Sequence, residues 1–265
     1  MNFSHFMNFY VFTFVMLKKK QMLIDQDMKM ADVVLHDPTL VPIINRFGVH
    51  LGLGDQSIRE ICRKHDLHLQ FFITILNAFH DKLYFPKEQL QSFPAKLIIG
   101  YLQKAHHYFL DEKIPEIAGL IKEAILEADV NKKKYAVIEK FLLHYRDEFT
   151  RHIEREEKKV FPYILKLESA MEQKDAQKGI DELLKEYPIA AYQAEHEDVE
   201  EKIFDLKNII VRHLPTPNND RLWYQILREI FTLEKELNEH ARIEDLILIP
   251  KVKTMENALK SKRSE

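Results

Sequence analysis

The sequence predicts an all-α protein, in which a small helical domain precedes an antiparallel four-helix bundle. Only 6 of its 265 residues are glycine, whereas apolar residues make up 46% and charged residues 31%. Long stretches rich in Lys and Glu carry apolar residues at helical spacing, which is typical of helical proteins. A chain of this length can bury a sizeable core, either as one large domain or as two modest ones.

Breaks in the helical pattern divide the chain. The small domain is predicted over 31–83, with a helix start at Asp37, a glycine-broken turn over 48–54, and Asp55 or Ser57 as the next cap. A linker is predicted over 84–94, because two prolines in it do not fit inside a helix. Four long helices with short connections are then predicted and favour a bundle over 95–259, with a short tail over 260–265. These helices span 95–127, 132–167, 173–210 and 219–259.

The first thirty residues contain a short apolar run followed by three lysines. The run is too short to span a bilayer, and a signal peptide would carry its positive charge before the apolar part. Met16, Met22, Met28 and Met30 are all plausible starts. We therefore interpret residues 1–30 as a disordered leader or an over-extended gene start, in preference to a peripheral membrane anchor. No stable membrane insertion is expected.

The charge balance and the cysteine content exclude several classes of protein. The formal net charge is -3, with 39 basic and 42 acidic residues well mixed along the chain. Because no basic face is evident, nucleic acid is not an expected partner. The single cysteine, Cys62, excludes intramolecular disulfides and fits a reducing compartment such as the cytoplasm.

The stretch HIEREEKKVFP at 152–162 has a counterpart in HARIEDLILIP at 240–250. In both stretches a glutamate follows the first histidine by four residues, and a proline follows it by ten. Four residues are about one helical turn, so the histidine and glutamate of each pair project from the same helix face. The two pairs are His152 with Glu156 and His240 with Glu244.

Each pair is preceded by a lone histidine at a matching distance. His107 lies 45 residues before His152, and His196 lies 44 residues before His240. The first half of this pattern is therefore offset from the second by 88 or 89 residues. This spacing indicates a duplicated two-helix unit in which each copy contributes one lone histidine and one His-xxx-Glu pair.

Histidine nitrogens and carboxylate oxygens together suit iron, manganese or zinc, and a carboxylate can bridge two ions where an imidazole cannot. In a bundle the six residues can converge, which predicts a two-metal site, with iron favoured and positions open for a small ligand. A lone histidine on a helix is more often a packed or surface residue, but two pairs in the same proline context argue against coincidence. The Glu-x-x-His spacing of ferritin-like proteins is absent from this chain.

The region from about 95 to 255 resembles the hemerythrin-like domain of the iron-sulfur cluster repair di-iron proteins, the RIC family. The motifs that carry the resemblance are HHYFLDEKIPEI, HIEREEKKVFP, AEHED and EHARIEDLILIP. The resemblance implies two iron ions, joined by an oxo or hydroxo bridge and by carboxylates. It implies His107, His152, His196 and His240 as terminal ligands, with Glu156 and Glu244 as bridges.

The same resemblance leaves some positions open. His106 rivals His107 as a ligand, although its distance to Pro115 fits the family pattern less well. Glu148 and Glu195 occupy places where the family holds acidic residues beside the site, so they could orient a ligand or relay protons. Glu148 fits a solvated helix charge equally well. His144, one further turn along, is interpreted as a residue beside the site or on the surface.

The N-terminal domain resembles the small domain that precedes the di-iron domain in that family, with one departure. The family's turn carries adjacent cysteines, and here they are replaced within Leu51 to Gly54. Cys62 matches a further cysteine of the pattern and is interpreted as a packed small residue. We therefore expect a retained scaffold for dimerisation or partner docking, compatible with a homodimer and without thiol chemistry.

Three functions follow from this interpretation. The resemblance implies repair of iron-sulfur clusters damaged by nitrosative or oxidative stress, with iron-sulfur proteins as partners and iron donated from the site. The same centre could instead reduce nitric oxide, nitrite or peroxide. A third alternative is a binder or sensor of nitric oxide or oxygen without turnover. The sequence leaves open whether the protein is an enzyme.

Overall fold

A computed structural model describes residues 22–128, 130–172, 179–190, 192, 199–215 and 219–262. The all-α prediction is confirmed: these residues form helices joined by turns, and the one extended pairing among them is an isolated bridge between Lys29 and Ser57. The chain divides into two compact units. The first unit takes in residues 22–44 and 49–85, and the second takes in 45–48 and the described residues from 86 onward.

The first unit is built from short helices whose starts match the capping signals in the sequence. The side chain of Asp37 accepts a hydrogen bond from Thr39 N. Of the two predicted caps, Ser57 forms a capping box with Glu60, which satisfies backbone donors at the helix start. The elements are α1 Met30–His36, a 3-10 turn Pro38–Leu40, α2 Val41–Arg46, whose residues 45 and 46 fall in the second unit, α3 Ile58–Lys64 and α4 Leu69–His80.

Residues 22–30, which the sequence analysis assigned to the leader, are an ordered part of the first unit. Ile24 N donates to Asn77 Oδ1 at 2.7 Å, and Asn77 Nδ2 donates to Ile24 O at 2.8 Å. Met30 is fully buried. The prediction is wrong for this part of the leader because its apolar side chains join a core that the local pattern does not reveal. Residues 1–21 lie outside the described residues.

Cys62 is buried in the first unit, and burial raises the pKa of its thiol to about 11 from an ordinary 9.0. The thiolate is the reactive form, so its population falls about a hundredfold. We expect Cys62 to react with a thiol-specific dye at pH 8 at least about a hundredfold more slowly in the native protein than after unfolding. Equal rates in the two states would contradict the packed, unreactive thiol.

The second unit holds a four-helix bundle whose long helices are each built from shorter elements. Its elements are α5 Lys87–Ser92, α6 Ala95–His107, π1 Tyr108–Lys113, α7 Ile114–Glu127, α8 Lys132–Arg155, π2 Glu156–Val160, α9 Phe161–Glu172, α10 Ile180–Glu186, α11 Val199–His213, α12 Asp220–Ile243, π3 Glu244–Leu248 and α13 Ile249–Lys262. The segments π1, π2 and π3 are π-helical and run on directly from the α-helix before each of them.

The helices α7, α8, α11 and α12 close a ring of neighbours, each packing against the next and α12 against α7. Short connections between α7 and α8, and between α11 and α12, make these pairs antiparallel. Apolar side chains from all four helices fill the centre, among them Ile121, Leu142, Leu206 and Ile230. No helix in the described part of the chain is long and apolar enough to cross a membrane.

Two segments differ from their prediction. The linker over 84–94 contains the short helix α5, which begins after Pro86 and buries Leu90. The third predicted helix is interrupted, since α10 ends at Glu186. The residue before Pro188 is disfavoured in the helical conformation, and Tyr187 accordingly has φ -157 and ψ 74. A proline inside a periodic stretch was therefore a stronger signal than the periodicity. Residues 173–178 and 193–198 of that stretch lie outside the described residues.

Candidate metal centre

Three π-helical turns shape the ends of the bundle helices, and each is followed closely by a proline. In each turn a backbone N–H donates to the carbonyl five residues earlier: Ile114 to Phe109, Phe161 to Glu156, and Ile249 to Glu244. The next residue is Pro115, Pro162 or Pro250. Proline has no N–H, and its ring clashes with the carbonyl four residues back, so a regular α-helix is distorted ahead of it. The recurring proline therefore accompanies a distorted turn, and π-turns of this kind are frequent at functional sites.

The π-turns bring two histidines and two glutamates together in the interior. His106, Glu156, His240 and Glu244 each offer a ligand atom, and these atoms all lie within 4.8 Å of one another. All four residues are buried. The two glutamates are the first residues of π2 and π3, so both His-xxx-Glu pairs contribute to the cluster at matching places.

The imidazoles of His106 and His240 face each other. Their Nε2 atoms lie 3.1 Å apart. Two nitrogens bound at right angles to one metal ion at about 2.1 Å would be roughly 3 Å apart. The Nε2 of His240 is also 3.3 Å from Glu244 Oε1. The spacing of these nitrogens therefore suits one shared ion.

Glu156 presents its two carboxylate oxygens to different histidines. Oε1 lies 2.9 Å from His152 Nε2 and Oε2 lies 3.3 Å from His106 Nε2. His152 is also buried, at 6% exposed. A carboxylate that points one oxygen at each of two histidine groups has the arrangement needed to bridge two ions.

The charges of the cluster are set by burial and by the short contacts within it. Burial would raise the pKa of Glu156, but the neighbouring imidazoles of His106 and His152 hold it well below its usual range. Burial, followed by the neighbouring His106, holds the pKa of His240 well below its usual range. Glu156 is therefore favoured as an anion and His240 as a neutral ring, which are the forms that bind metal ions. Burial would lower the pKa of His106, but Glu156 and Glu157 raise it overall, so this ring would release its proton when it binds a metal ion.

Two residues that the sequence analysis did not single out contact the cluster. His106 Nδ1 lies 3.0 Å from Glu157 Oε1, which orients the ring and leaves Nε2 directed into the site. The buried hydroxyl of Tyr192 donates to Glu156 Oε1 at 2.5 Å. Burial, followed by Glu244 and Glu156, raises the pKa of Tyr192, so the phenol stays protonated and remains a donor.

The structure does not bring His107 into the cluster and places its rival His106 there, so the structure and the predicted ligand set differ at this position. The side chain of His107 is 70% exposed and pairs with Asp111, one turn along the helix. His106 is 1% exposed and takes the inward place. The physical reason is the helix face, since His106 follows the buried residues Leu102 and Ala105 of α6.

The other predicted residues fall on the surface or outside the described residues. Glu148 pairs with Lys202 at 2.8 Å and lies 3.6 Å from His144, whose side chain is 73% exposed. The structure thus gives Glu148 partners on the outside of the bundle. This agrees with the interpretation of Glu148 as a solvated charge on the helix surface. His196 and Glu195 lie outside the described residues, so their roles stay predictions.

A buried arginine lies behind His240. Arg46 belongs to residues 45–48 of the second unit, and its guanidinium pairs with Glu236, one turn before His240. Arg46 Nη1 also donates to Tyr101 Oη at 3.1 Å. Burial would lower the pKa of Arg46, but Tyr101 and Glu236 raise it overall, so the charge is permanent. This pair fixes Glu236 beside the ligand helix.

The residues present fit a metal ion. Oε2 of Glu156 is buried and accepts no hydrogen bond from the described residues. Two buried carboxylates in one cluster are costly without a nearby positive charge. The donor set of imidazole nitrogens and carboxylate oxygens supplies the negative charge and the lone pairs that a divalent or trivalent cation takes.

Comparison with known proteins agrees with this geometry. The family model of the hemerythrin HHE cation binding domain matches residues 98–252, more than half of the chain and every residue of the cluster. The chain belongs to the hemerythrin HHE family. Members of this family bind metal cations through this domain, as its description states. The family resemblance inferred from the motifs is thereby confirmed.

Two relatives extend the comparison of this hemerythrin HHE protein beyond the bundle. The Iron-sulfur cluster repair protein ScdA of Staphylococcus haemolyticus is 21% identical over 224 residues, covering 83% of this chain and 96% of the relative. The protein of the same name from Staphylococcus epidermidis is 18% identical over 225 residues, covering 84% of this chain and 96% of the relative. The similarity therefore spans nearly the whole length of both relatives.

Proposed function

We propose that the chain holds two iron ions and donates iron for the repair of damaged iron-sulfur clusters. The observation that carries the two-metal proposal is Glu156, whose oxygens point at His106 on one side and His152 on the other. In this proposal His106 and His240 hold one ion and His152 belongs to the other. Glu156 and Glu244 would hold both ions.

The duplication supports a partner for His152. The first ion takes the lone histidine of the first half, His106, and the paired histidine of the second half, His240. By the same pattern, in which each ion takes one histidine from each half, the second ion would take His152 from the first half and His196 from the second. His196 is therefore retained as the sixth proposed ligand, on the strength of the sequence pattern alone.

Bound iron would supply reversible one-electron chemistry and coordination positions for a small ligand such as nitric oxide or oxygen. The residues of the chain orient the ligands and shield them from water. Glu157 orients His106, Tyr192 holds Glu156, and the burial of the four clustered residues keeps bulk water away from their ligand atoms. A buried site of this kind releases its metal slowly unless a partner removes it, which suits a store of iron.

The repair role comes from the relatives, which are named iron-sulfur cluster repair proteins and match along 96% of their length. The match covers 83% and 84% of this chain, so it extends beyond the second unit. The cysteine pair expected in the first unit is replaced within Leu51 to Gly54. We propose that this chain donates iron without thiol chemistry, because its one cysteine is buried with a raised pKa.

The experiment that tests the function follows iron and substrate separately. Iron-loaded protein is mixed with an apo iron-sulfur protein and sulfide, and the recovery of cluster absorbance is measured alongside the iron left on the donor. We expect recovery to match iron loss in stoichiometry. Repeated consumption of nitric oxide or peroxide without iron loss would instead establish a reductase and overturn the donor role.

Tyr192 offers a matched test of how Glu156 is held. Loss of a hydrogen-bonding partner of a metal ligand commonly lowers metal affinity by about 10-fold to 100-fold. We expect Tyr192→Phe to lose iron to a ferrous chelator at least about tenfold faster, with a shifted near-ultraviolet spectrum. Tyr135→Phe is the control, since Tyr135 is equally buried but packs against Trp223 in the bundle core. Equal release rates in both variants would contradict the role of Tyr192.

A further inference from the structure

A buried carboxylate joins three segments of the second unit. Glu256 lies on α13 and is 5% exposed, and its Oε1 atom accepts two hydrogen bonds. Tyr163 Oη, on α9, donates at 2.6 Å, and the backbone N–H of Ile189 donates at 2.9 Å. The side chain of Tyr163 is fully buried. Loss of the Glu256 carboxylate would therefore leave two buried donors unsatisfied.

The N–H of Ile189 lies at the start of a helical turn. Helix α10 ends before Pro188, and Tyr192 N donates to Pro188 O at 3.4 Å, so a new helical turn begins there. The first N–H groups of a helix have no carbonyl ahead of them, and a proline side chain has no atom that accepts a hydrogen bond. Glu256, 67 residues away along the chain, therefore takes the place of a local cap.

The same turn carries the phenol that holds Glu156. Tyr192 follows Ile189 by three residues, which is about one helical turn. The hydroxyl of Tyr192 donates to Glu156 Oε1 at 2.5 Å. Glu156 begins π2, and π2 continues directly into α9, which carries Tyr163. Glu256 thus fixes the turn of Tyr192 against the helical segment that supplies the predicted metal ligand.

A second tether holds the segment just before this turn, but it is exposed. Lys166 on α9 donates to both oxygens of Glu186 at 2.6 and 2.9 Å. These two side chains are 53% and 48% exposed. Exposed ion pairs contribute little to stability, whereas a satisfied buried network fixes the positions of its members. Glu256, rather than Glu186, is therefore the anchor of the turn.

We propose that Glu256 is a positioning residue of the metal centre, which holds the turn of Tyr192 in place and thereby sets the rate at which iron leaves. The effect of Glu256 passes through the backbone of Ile189 to the phenol of Tyr192, and from there to Glu156. Partners that orient a metal ligand commonly change metal affinity by about 10-fold to 100-fold. The inference rests on the proposed binding of iron, but not on the donation of that iron to damaged clusters.

Release of iron to a ferrous chelator tests the proposal. We expect iron-loaded Glu256→Ala to release iron at least about tenfold faster than the wild type. Glu256→Gln keeps an acceptor oxygen and should restore release to within about threefold of the wild-type rate. Glu186→Ala is the control, because it removes the exposed tether, and it should stay within about twofold. Wild-type release from Glu256→Ala, or equally fast release from both Glu256 variants, would overturn the proposal.

Combination with Tyr192→Phe distinguishes positioning from a general loss of stability. If Glu256 acts through the phenol, its replacement has little left to change once the phenol is gone. The double variant Tyr192→Phe with Glu256→Ala should therefore release iron no more than about twofold faster than Tyr192→Phe alone. Effects that multiply would show that Glu256 acts independently of Tyr192 and would overturn the proposal.

Hydrogen exchange tests the contact without a variant. In the iron-loaded wild type, the amide of Ile189 should exchange at least about a hundredfold more slowly than in the unfolded chain, because it donates to a buried carboxylate. Exchange at the rate of the unfolded chain would overturn the proposal. A wild type that binds no iron would overturn the proposed function instead, and hydrogen exchange of that protein would still decide the contact.

Discussion

Replacing Glu156 by alanine is expected to leave the purified protein with less than about one tenth of the iron of the wild type. The reason is the position of its two oxygens, 2.9 Å from His152 and 3.3 Å from His106. A residue that bridges two ions removes a ligand from both when it is lost. The measurement is metal content per chain on protein made in iron-replete cells and purified without chelators.

Glu154→Ala is the matched control for this prediction. Glu154 precedes Glu156 by two residues, is 54% exposed, and pairs with Lys158 at 3.1 Å. An exposed pair of this kind contributes little to stability, so this variant should retain its iron and its fold. Equal iron content in the two variants would contradict the assignment of Glu156 as a ligand, provided that circular dichroism shows both variants to be helical.

The two His-xxx-Glu pairs were predictable because the geometry of a helical turn is fixed. Residues four apart share a face, so the pairing of His152 with Glu156 and of His240 with Glu244 needed no tertiary information. The proline ten residues after each histidine is visible as part of the motif, but the sequence does not show why it is there. The structure supplies that cause, since Pro162 and Pro250 each follow a π-helical turn that begins at the glutamate.

Features that depend on contacts between distant segments could not be predicted in the same way. No sequence motif links Tyr192 to Glu156. The hydroxyl of Tyr192 reaches Glu156 only because the helices pack together. Arg46 is separated from Glu236 by 190 residues. Glu157 is different, because an acidic residue directly after the predicted ligand Glu156 could have been noticed as a candidate to orient a histidine from another helix.

The sequence pattern favours His107, whereas the structure turns His106 inward. The spacing from His107 to His152, which matches that from His196 to His240, was counted across the connection between α7 and α8. A connection can gain or lose one residue without a shift of either helix. Periodicity within α6 was the better guide, because Ile98, Leu102 and Ala105 predict a buried face that continues to His106. Distances along one helix constrain geometry, whereas distances across a loop do not.

Loss of the inward histidine of α6 is expected to have the second large effect. His106→Ala should lower the affinity for the ion shared with His240 at least about a hundredfold, so the variant should be purified with about one iron instead of two. His107→Ala should keep both, because the 70% exposed His107 pairs with Asp111. The variants are matched in residue type and adjacent in sequence, so only the helix face distinguishes them. Iron loss in His107→Ala with retention in His106→Ala would mean that the inward face of α6 changes when iron binds.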